Sequence, residues 1–352
     1  MNNFKNIIFT GGGSGGHVIP AITIIESLEI KRKLNIFYVG GISSVERELI
    51  SKKNIPYKSI YTGKLRRYFS VENMMDFFKF LMGVAQSFFY LLKFKRQNTL
   101  IFSTGGFVGL PLVIAAGVLR FKVYIHEQTS RVGLANKIAS IFATKIFISF
   151  EESKKFFPAE KTIFSGYPLK ANCFLGKNNN FEFEGFKLSE IDRPIFLITG
   201  GGNGSKLLND FINQQIDQIK DEFFIIHQVG QKFINDFIPK KDKYYHPVAF
   251  LDNMVELMKF SEIIISRSGA GTVMELLALN KVSIFVPLKI AQKNEQFYNA
   301  LEAKNKIGSI ILTEDEFLNF NITELVKNIR NQNREHKAFN VQNGVEVIIA
   351  EI

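Results

Sequence analysis

Short apolar runs rich in β-branched and aromatic residues alternate along the chain with longer segments of helical spacing. NIIFT (6–10) precedes a helical stretch near 21–33, and NIFYVG (35–40) follows it. TLIFST (99–104) leads into GGFVGLPLVIAAGVL, and KVYIHE (122–127) into a further helical segment. KIFIS (145–149) and TIFSGYP (162–168) complete the series. This alternation predicts β/α units building a parallel sheet. From residue 173 the pattern lapses into CFLGKNNNFEFEGFKLSE, then restarts with PIFLIT (194–199), FFIIHQVG (223–230), EIIIS (262–266) and VSIFVPL (282–288). Helices are predicted near 206–220 and after RSGAGT. Both halves open with a strand that delivers three glycines, IFTGGGSGG at 8–16 and LITGGGNGS at 197–205. The prediction is an α/β chain of two Rossmann-like, doubly wound parallel-sheet domains facing a cleft. Ligands in such sheets bind outside the carboxyl ends of the strands, where these glycine loops lie. The expected divisions are 1–166, 167–335, and a C-terminal helix in 336–352 returning to the first domain.

Composition narrows this picture. A chain of 352 residues exceeds one ordinary core, which agrees with two domains. Hydrophobic content of 46% with 22% charged residues excludes a disordered chain. The single cysteine, Cys173, excludes an intramolecular disulfide and suits a reducing compartment. The first strand follows Met1 too closely for a signal peptide to be expected.

The net charge of +11 is unevenly placed: residues 51–100 hold ten Lys/Arg against Glu72 and Asp76, a surplus of eight. Within them lies FFKFLMGVAQSFFYLL (77–92), whose uncharged part, Phe80 to Leu92, is 13 residues long. About 20 apolar residues are needed to span a bilayer, so this segment is not expected to cross one. Phe77, Phe80, Val84, Phe88 and Leu91 follow helical spacing and predict one strongly apolar face. A core helix and an interfacial helix both fit that pattern. The basic residues ahead of it, Lys64, Arg66 and Arg67, favour an anionic membrane surface.

TGGGSGGHVIP (10–20) admits three readings. Gly11 and Gly16 fit the glycines of a phosphate-binding P-loop, but His17 and Val18 replace the Lys and Ser/Thr that would hold phosphate and metal. Gly11, Gly13 and Gly16 also fit a dinucleotide fingerprint. That reading needs an acidic residue at the end of the second strand, which here ends Val39-Gly40-Gly41. The third reading is a sugar-nucleotide glycosyltransferase.

Seven motifs bear on that third reading. GGGSGGHVIP, HEQTSRVGLANK (126–137), GYPLK (166–170), ITGGGNGSKLLN (198–209), FLDNM (250–254), SRSGAGTVMEL (266–276) and FVPLKIAQKNEQFYNA (285–300) occur in that order. Over nearly the whole chain they resemble the MurG family, peripheral membrane transferases of peptidoglycan synthesis. The resemblance implies a glycosyltransferase-B fold and an inverting transfer of N-acetylglucosamine from UDP-N-acetylglucosamine to a polyprenyl-diphosphate-linked muramoyl-pentapeptide. It also implies a place on the cytoplasmic face of the inner membrane.

The resemblance implies roles for particular residues. The helix start Ala270, Gly271, Thr272, Val273 and Met274 would receive the diphosphate of the donor, since a helix N-terminus offers unpaired N–H groups. Glu275 would accept from the ribose hydroxyls, Leu251 would lie against uracil, and Gln296 would contact the donor sugar. Glu295 stands where a second glutamine is usual, Gly202 where serine is usual, and Lys170 where arginine is usual. Lys170 keeps the charge without the bidentate fork. Ser14, Gly15 and Gly16 would lie in the cleft floor. His17 is the candidate general base, with Glu127 as its rival and His126 beside that. A histidine that only fixes the loop is the structural alternative for His17. Thr129 replaces an asparagine of the family, and Phe107 a tyrosine. No D-x-D occurs and the five histidines do not cluster, so neither metal nor cofactor is expected, and no nucleic-acid partner either. Three alternatives remain: a UDP-sugar transferase to another lipid acceptor, a UDP-N-acetylglucosamine epimerase, and a membrane-bound nucleotide-sugar sensor.

Overall fold

The apolar runs become the strands of two parallel sheets in a computed structural model that describes residues 4–63, 71–237, 241–291, 294–335 and 339–352. The chain divides into one unit of Met1–Leu169 with Gln342–Ile352, and a second of Lys170–Val341.

The first unit runs β1 (Asn6–Thr10), α1 (Gly15–Lys31), β2 (Asn35–Gly41), α2 (Val45–Ser51), β3 (Tyr57–Ile60), α3 (Val71–Leu91), β4 (Thr99–Ser103), α4 (Leu110–Val118), β5 (Lys122–Glu127), α5 (Leu134–Phe142), β6 (Lys145–Ile148) and β7 (Thr162–Phe164). Its sheet has the order β3-β2-β1-β4-β5-β6-β7. The order reverses between β1 and β4, where Ile8 pairs with Phe37 on one side and Ile101 on the other. That switch point is where the 11–16 loop leaves the sheet.

The second unit begins with the hairpin β8 (Glu182–Phe183) and β9 (Phe186–Lys187). It continues β10 (Ile195–Thr199), α6 (Lys206–Gln215), β11 (Phe224–Gln228), β12 (Tyr245–Val248), α7 (Met254–Phe260), β13 (Ser261–Ser266), α8 (Ala270–Ala278), β14 (Ile284–Phe285), α9 (Glu295–Ile307), β15 (Ile310–Ile311), α10 (Glu314–Asn319) and α11 (Ile322–Glu335). The sheet order is β12-β11-β10-β13-β14-β15. Here the switch point falls between β10 and β13, so the 200–204 and 267–269 loops leave adjacent strands. The last helix, α12 (Gly344–Glu351), belongs to the first unit.

Burial follows the pattern of the sequence. In the first unit α1 and α12 cover one face of the sheet, packing Ile24, Leu28, Ile348 and Ile349 with Phe9 and Phe102. The other face is covered by Phe80, Leu91, Leu112, Val113 and Ala139 from α3, α4 and α5. Asn343 caps α12, accepting from the Val345 N–H at 3.1 Å. Lys31 of α1 pairs with Glu346 at 2.7 Å.

Three local expectations need revision. α1 begins at Gly15, not near residue 21, because helical geometry already holds through Gly15 and Gly16 behind an extended Ser14. The short elements α2 and β3 gave too little periodicity to be read. The predicted apolar face of α3 is mostly a core face: Phe80 and Leu91 are buried, Val84 and Phe88 half-buried, and only Phe77 is open. Gly83 permits this close seat, since a Cβ there would stand 2.0 Å from the Tyr61 carbonyl oxygen. The opposite face is apolar as well. Met74, Met75, Phe78, Leu81, Met82, Phe89 and Leu92 are all exposed. Lys64, Arg66 and Arg67 lie outside the described residues.

Candidate active site

In the first unit the predicted residues gather at the carboxyl ends of β1, β4 and β5. Gly11 (φ 142°) and Gly13 (φ 85°) take conformations that favour glycine. A side chain on Gly11 would meet the Thr104 hydroxyl at 2.2 Å, so the turn also needs glycine for space. Tyr38 Oη donates to the Gly11 carbonyl at 2.6 Å, and the Gly12 N–H donates to the Gly105 carbonyl at 3.2 Å. Ser14 and Gly16 are exposed and Gly15 is half-buried.

His17, half-buried in the first turn of α1, has Nδ1 3.0 Å from the Thr104 carbonyl oxygen. A carbonyl only accepts, so Nδ1 carries a hydrogen, and in the neutral ring that leaves the lone pair on Nε2. Gln128 Nε2 donates to the same carbonyl.

Glu127 is buried and its oxygens are in use. Oε1 accepts from the Thr129 N–H at 3.0 Å and from the Thr129 hydroxyl at 2.8 Å, and Oε2 accepts from Asn136 Nδ2 at 2.9 Å. Thr129 therefore closes the turn after β5. Burial pushes the His126 imidazole down to about 3, so that ring is neutral, with Nε2 3.0 Å from the Ser149 hydroxyl.

The second unit assembles its own set. α8 starts behind Gly269, which offers no side-chain cap, and its first intrahelical bond runs from the Val273 N–H to the Gly269 carbonyl at 3.0 Å. The N–H groups of Ala270, Gly271 and Thr272 precede that bond and form the donor end of the helix. Just before them the Ser266 and Ser268 hydroxyls are buried without a partner among the described residues. Val273 and Met274 point into the core.

Glu275 is half-buried one turn in. Burial pushes its carboxyl up to about 7, against the pull of the Lys170 charge. Lys170 itself is exposed. Gly202 is exposed, and among the described residues a Cβ there would touch only the Phe250 ring, at 3.7 Å. Leu251 is buried. Gln296 holds the 285–290 segment, its Oε1 accepting from the Leu288 N–H at 3.0 Å. Its Nε2 remains on the other end of the amide.

In this unit two supporting residues were not singled out from the sequence. Arg267 is buried between the loops: Nε donates to the Ser205 hydroxyl at 3.1 Å and Nη1 to the Val286 carbonyl at 2.9 Å. It also pairs with Glu314 at 2.8 Å. Asn299 Nδ2 donates to the Ser268 carbonyl at 3.2 Å. An arginine inside a run of small residues between strand and helix was the available signal for the first. Asn299 had none. Among the described residues no group of three or more His, Cys, Asp or Glu stands together as a metal site would require.

Two switch-point loop systems, one on each parallel sheet, define a two-domain, doubly wound α/β protein. The glycosyltransferase family 28 N-terminal domain matches residues 7–148 and the family's C-terminal domain matches residues 195–352. A UDP-N-acetylglucosamine--N-acetylmuramyl-(pentapeptide) pyrophosphoryl-undecaprenol N-acetylglucosamine transferase of Borreliella afzelii is 41% identical over 332 residues, covering 93% of this chain and 88% of that protein. The chain belongs to that family of transferases, MurG. The crystal structure of Acinetobacter baumannii MurG superposes with a TM-score of 0.68 at 24% identity, covering 99% of both chains. A UDP-N-acetylglucosamine 2-epimerase superposes with a TM-score of 0.66 at only 10% identity, covering 100% of this chain and 95% of that one, which is a likeness of fold alone.

Proposed function

We infer that this chain transfers N-acetylglucosamine from UDP-N-acetylglucosamine to the muramoyl 4-hydroxyl of undecaprenyl-diphosphate-linked muramoyl-pentapeptide. The observation that carries this is 41% identity to a transferase so named, running through both units. The first turn of α8 and its approach supply a seat for the donor diphosphate, where helix N–H groups stabilise charge gathering on leaving UDP. Glu275 receives the ribose hydroxyls as a carboxylate.

The muramoyl hydroxyl attacks the anomeric carbon as the bond from that carbon to the UDP oxygen breaks. The hydroxyl proton passes to His17 Nε2. This single displacement inverts the anomeric centre and needs no nucleophile from the protein. The Nδ1 contact with Thr104 supports His17 as the base, because it fixes the tautomer with a free lone pair. Glu127 already receives Asn136 and both Thr129 donors, which suits a residue that holds the turn.

The acceptor's polyprenyl tail places the reaction at a lipid surface, and we assign docking to the exposed face of α3. Phe78, Met82 and Phe89 on that face stand with the exposed Lys79, Lys93, Lys95 and Arg96. Apolar burial in the headgroup region and attraction to anionic lipid then act together. No described helix is long and apolar enough to cross a membrane. From the resemblance to peripheral transferases of peptidoglycan synthesis, we propose a place on the cytoplasmic face of the inner membrane.

The test is UDP release from UDP-N-acetylglucosamine, measured with and without a short-chain analogue of the muramoyl-pentapeptide lipid. Acceptor-dependent release is expected. Release without acceptor, or none with it, would overturn the reading.

A further inference from the structure

Glu46 occupies the second position of α2 and is fully buried, with 0% of its surface exposed. It joins no ion pair of the described residues. Its carboxylate is divided between two glycine turns: Oε2 accepts from the Gly13 N–H at 3.1 Å and Oε1 from the Gly41 N–H at 3.0 Å. A buried carboxylate has lost its hydration and is tolerated only where charge-assisted hydrogen bonds replace it. Here both donors are backbone groups, one from the loop after β1 and one from the end of β2.

The fit around it is close. A Cβ on Gly12 would stand 2.4 Å from the Glu46 carboxylate carbon, and one on Gly40 would stand 2.9 Å from Cγ. The turn that Glu46 grips is also seated against His17. A Cβ on Gly106 would lie 2.2 Å from the Gly12 carbonyl oxygen and 3.2 Å from His17 Cδ2. Gly12, Gly106 and the imidazole thus share one small space, and a displaced Gly12–Gly13 turn would move the ring. Tyr57 braces the far side, its hydroxyl donating to the Gly41 carbonyl at 2.8 Å.

We propose that Glu46 is a positioning residue for the transfer: through the Gly13 N–H it sets the lie of the 11–13 turn, and through that turn the seat of His17. This rests on the reading of His17 as the base. The rival is a carboxylate that matters to folding alone.

Glu46→Gln keeps the size of the side chain but turns an NH2 toward one of the two N–H donors. Ile50→Val, a buried change in the same helix, serves as the stability control. Expected for Glu46→Gln are a kcat lowered roughly 10- to 100-fold per folded molecule, a donor KM within about twofold of the original, and shifted His17 ring nitrogen resonances. The Ile50→Val variant should lower Tm and leave kcat and those resonances in place. Unchanged kcat and His17 resonances in folded Glu46→Gln would overturn the proposal. Should that variant not fold, Glu46→Asp replaces it, since its shorter arm keeps the charge but cannot span both donors. Failure of both to fold would also overturn it, making Glu46 a folding residue. A wild-type protein without acceptor-dependent UDP release would sink the transfer reading instead, while the His17 resonances would still report on Glu46.

Discussion

His17 and Thr104 meet across the switch point of the first sheet, ring Nδ1 lying 3.0 Å from the carbonyl oxygen. A general base needs an unprotonated nitrogen aimed at its substrate, and with His17 proposed as that base this contact leaves Nε2 for the task. It also gives the loop-holding role a separate atom, so the two roles can be parted by substitution.

His17→Ala removes both nitrogens, and kcat should fall by roughly 10²–10⁴-fold. His17→Asn is more telling, because its amide NH2 can still donate to the Thr104 carbonyl but offers no basic nitrogen. Steady-state kinetics should show Asn no better than Ala, with UDP affinity unchanged by calorimetry in both. Recovery of most of the rate with Asn would reassign His17 to loop support.

Glu275 predicts a pH dependence of donor binding. Burial raises its carboxyl to about 7 from an ordinary 4.5. In the proposed donor site it would accept from ribose hydroxyls as a carboxylate; protonated, it would lose much of that capacity. Donor KM should therefore rise as pH falls below about 7, while Glu275→Gln should be weak and flat across the same range. Linkage runs the other way for the free protein. The folded chain keeps this proton where the unfolded chain has released it, so this group's contribution to stability is greatest below the unfolded value and is lost as pH rises to the folded one. Thermal melts of the unliganded protein against those of Glu275→Gln, from pH 5 to 8, would show a difference that grows with pH.

Arg267 links Ser205 at the start of α6, Val286 at the end of β14, and Glu314. Removing one member of a buried pair leaves the other charge uncompensated, at about 3–5 kcal/mol. Arg267→Met should destabilise the second unit by an amount near that range and raise donor KM, since both glycine-side loops lose their tie. Arg267→Met with Glu314→Met should recover part of the stability in denaturant melts. It should not recover the donor KM. Full stability in the single variant would show that the pair is solvated.

Much of this was legible from pattern. Buried parallel strands read as unbroken apolar runs, so β1, β4, β5, β10, β11 and β13 were visible without tertiary information. The glycine loops were visible too, because positive φ and close approach demand one residue type. What was hidden had partners distant in sequence. Glu46 looks like an ordinary first-turn acid until Gly13 and Gly41 fold against it, and Arg267 like a surface charge until Ser205 and Glu314 close around it. The orientation of α3 was hidden for a different reason. Both of its faces are apolar, so spacing alone could name a face but not say which one the core would take.

That orientation decides which residues a membrane could meet. Phe80 and Leu91 are 9% and 0% exposed, while Phe78, Met82 and Phe89 are 59%, 49% and 68% exposed. Exchanging Phe78, Met82 and Phe89 for serine should abolish co-flotation with anionic vesicles and leave the thermal melt within a degree or two of the original, since little buried surface is lost. Turnover of a short-chain soluble acceptor should persist, while turnover of vesicle-embedded acceptor should fall. Leu91→Ala acts on the other face and should destabilise the first unit by about 2–5 kcal/mol, with vesicle binding retained by whatever fraction stays folded. High salt should weaken the wild-type association, because Lys79, Lys93, Lys95 and Arg96 contribute through screened charge. Vesicle binding that survives the serine triple would remove α3 as the docking element and turn attention to the exposed ends of α4 and α5, where Val118 and Ile141 are 62% and 71% exposed.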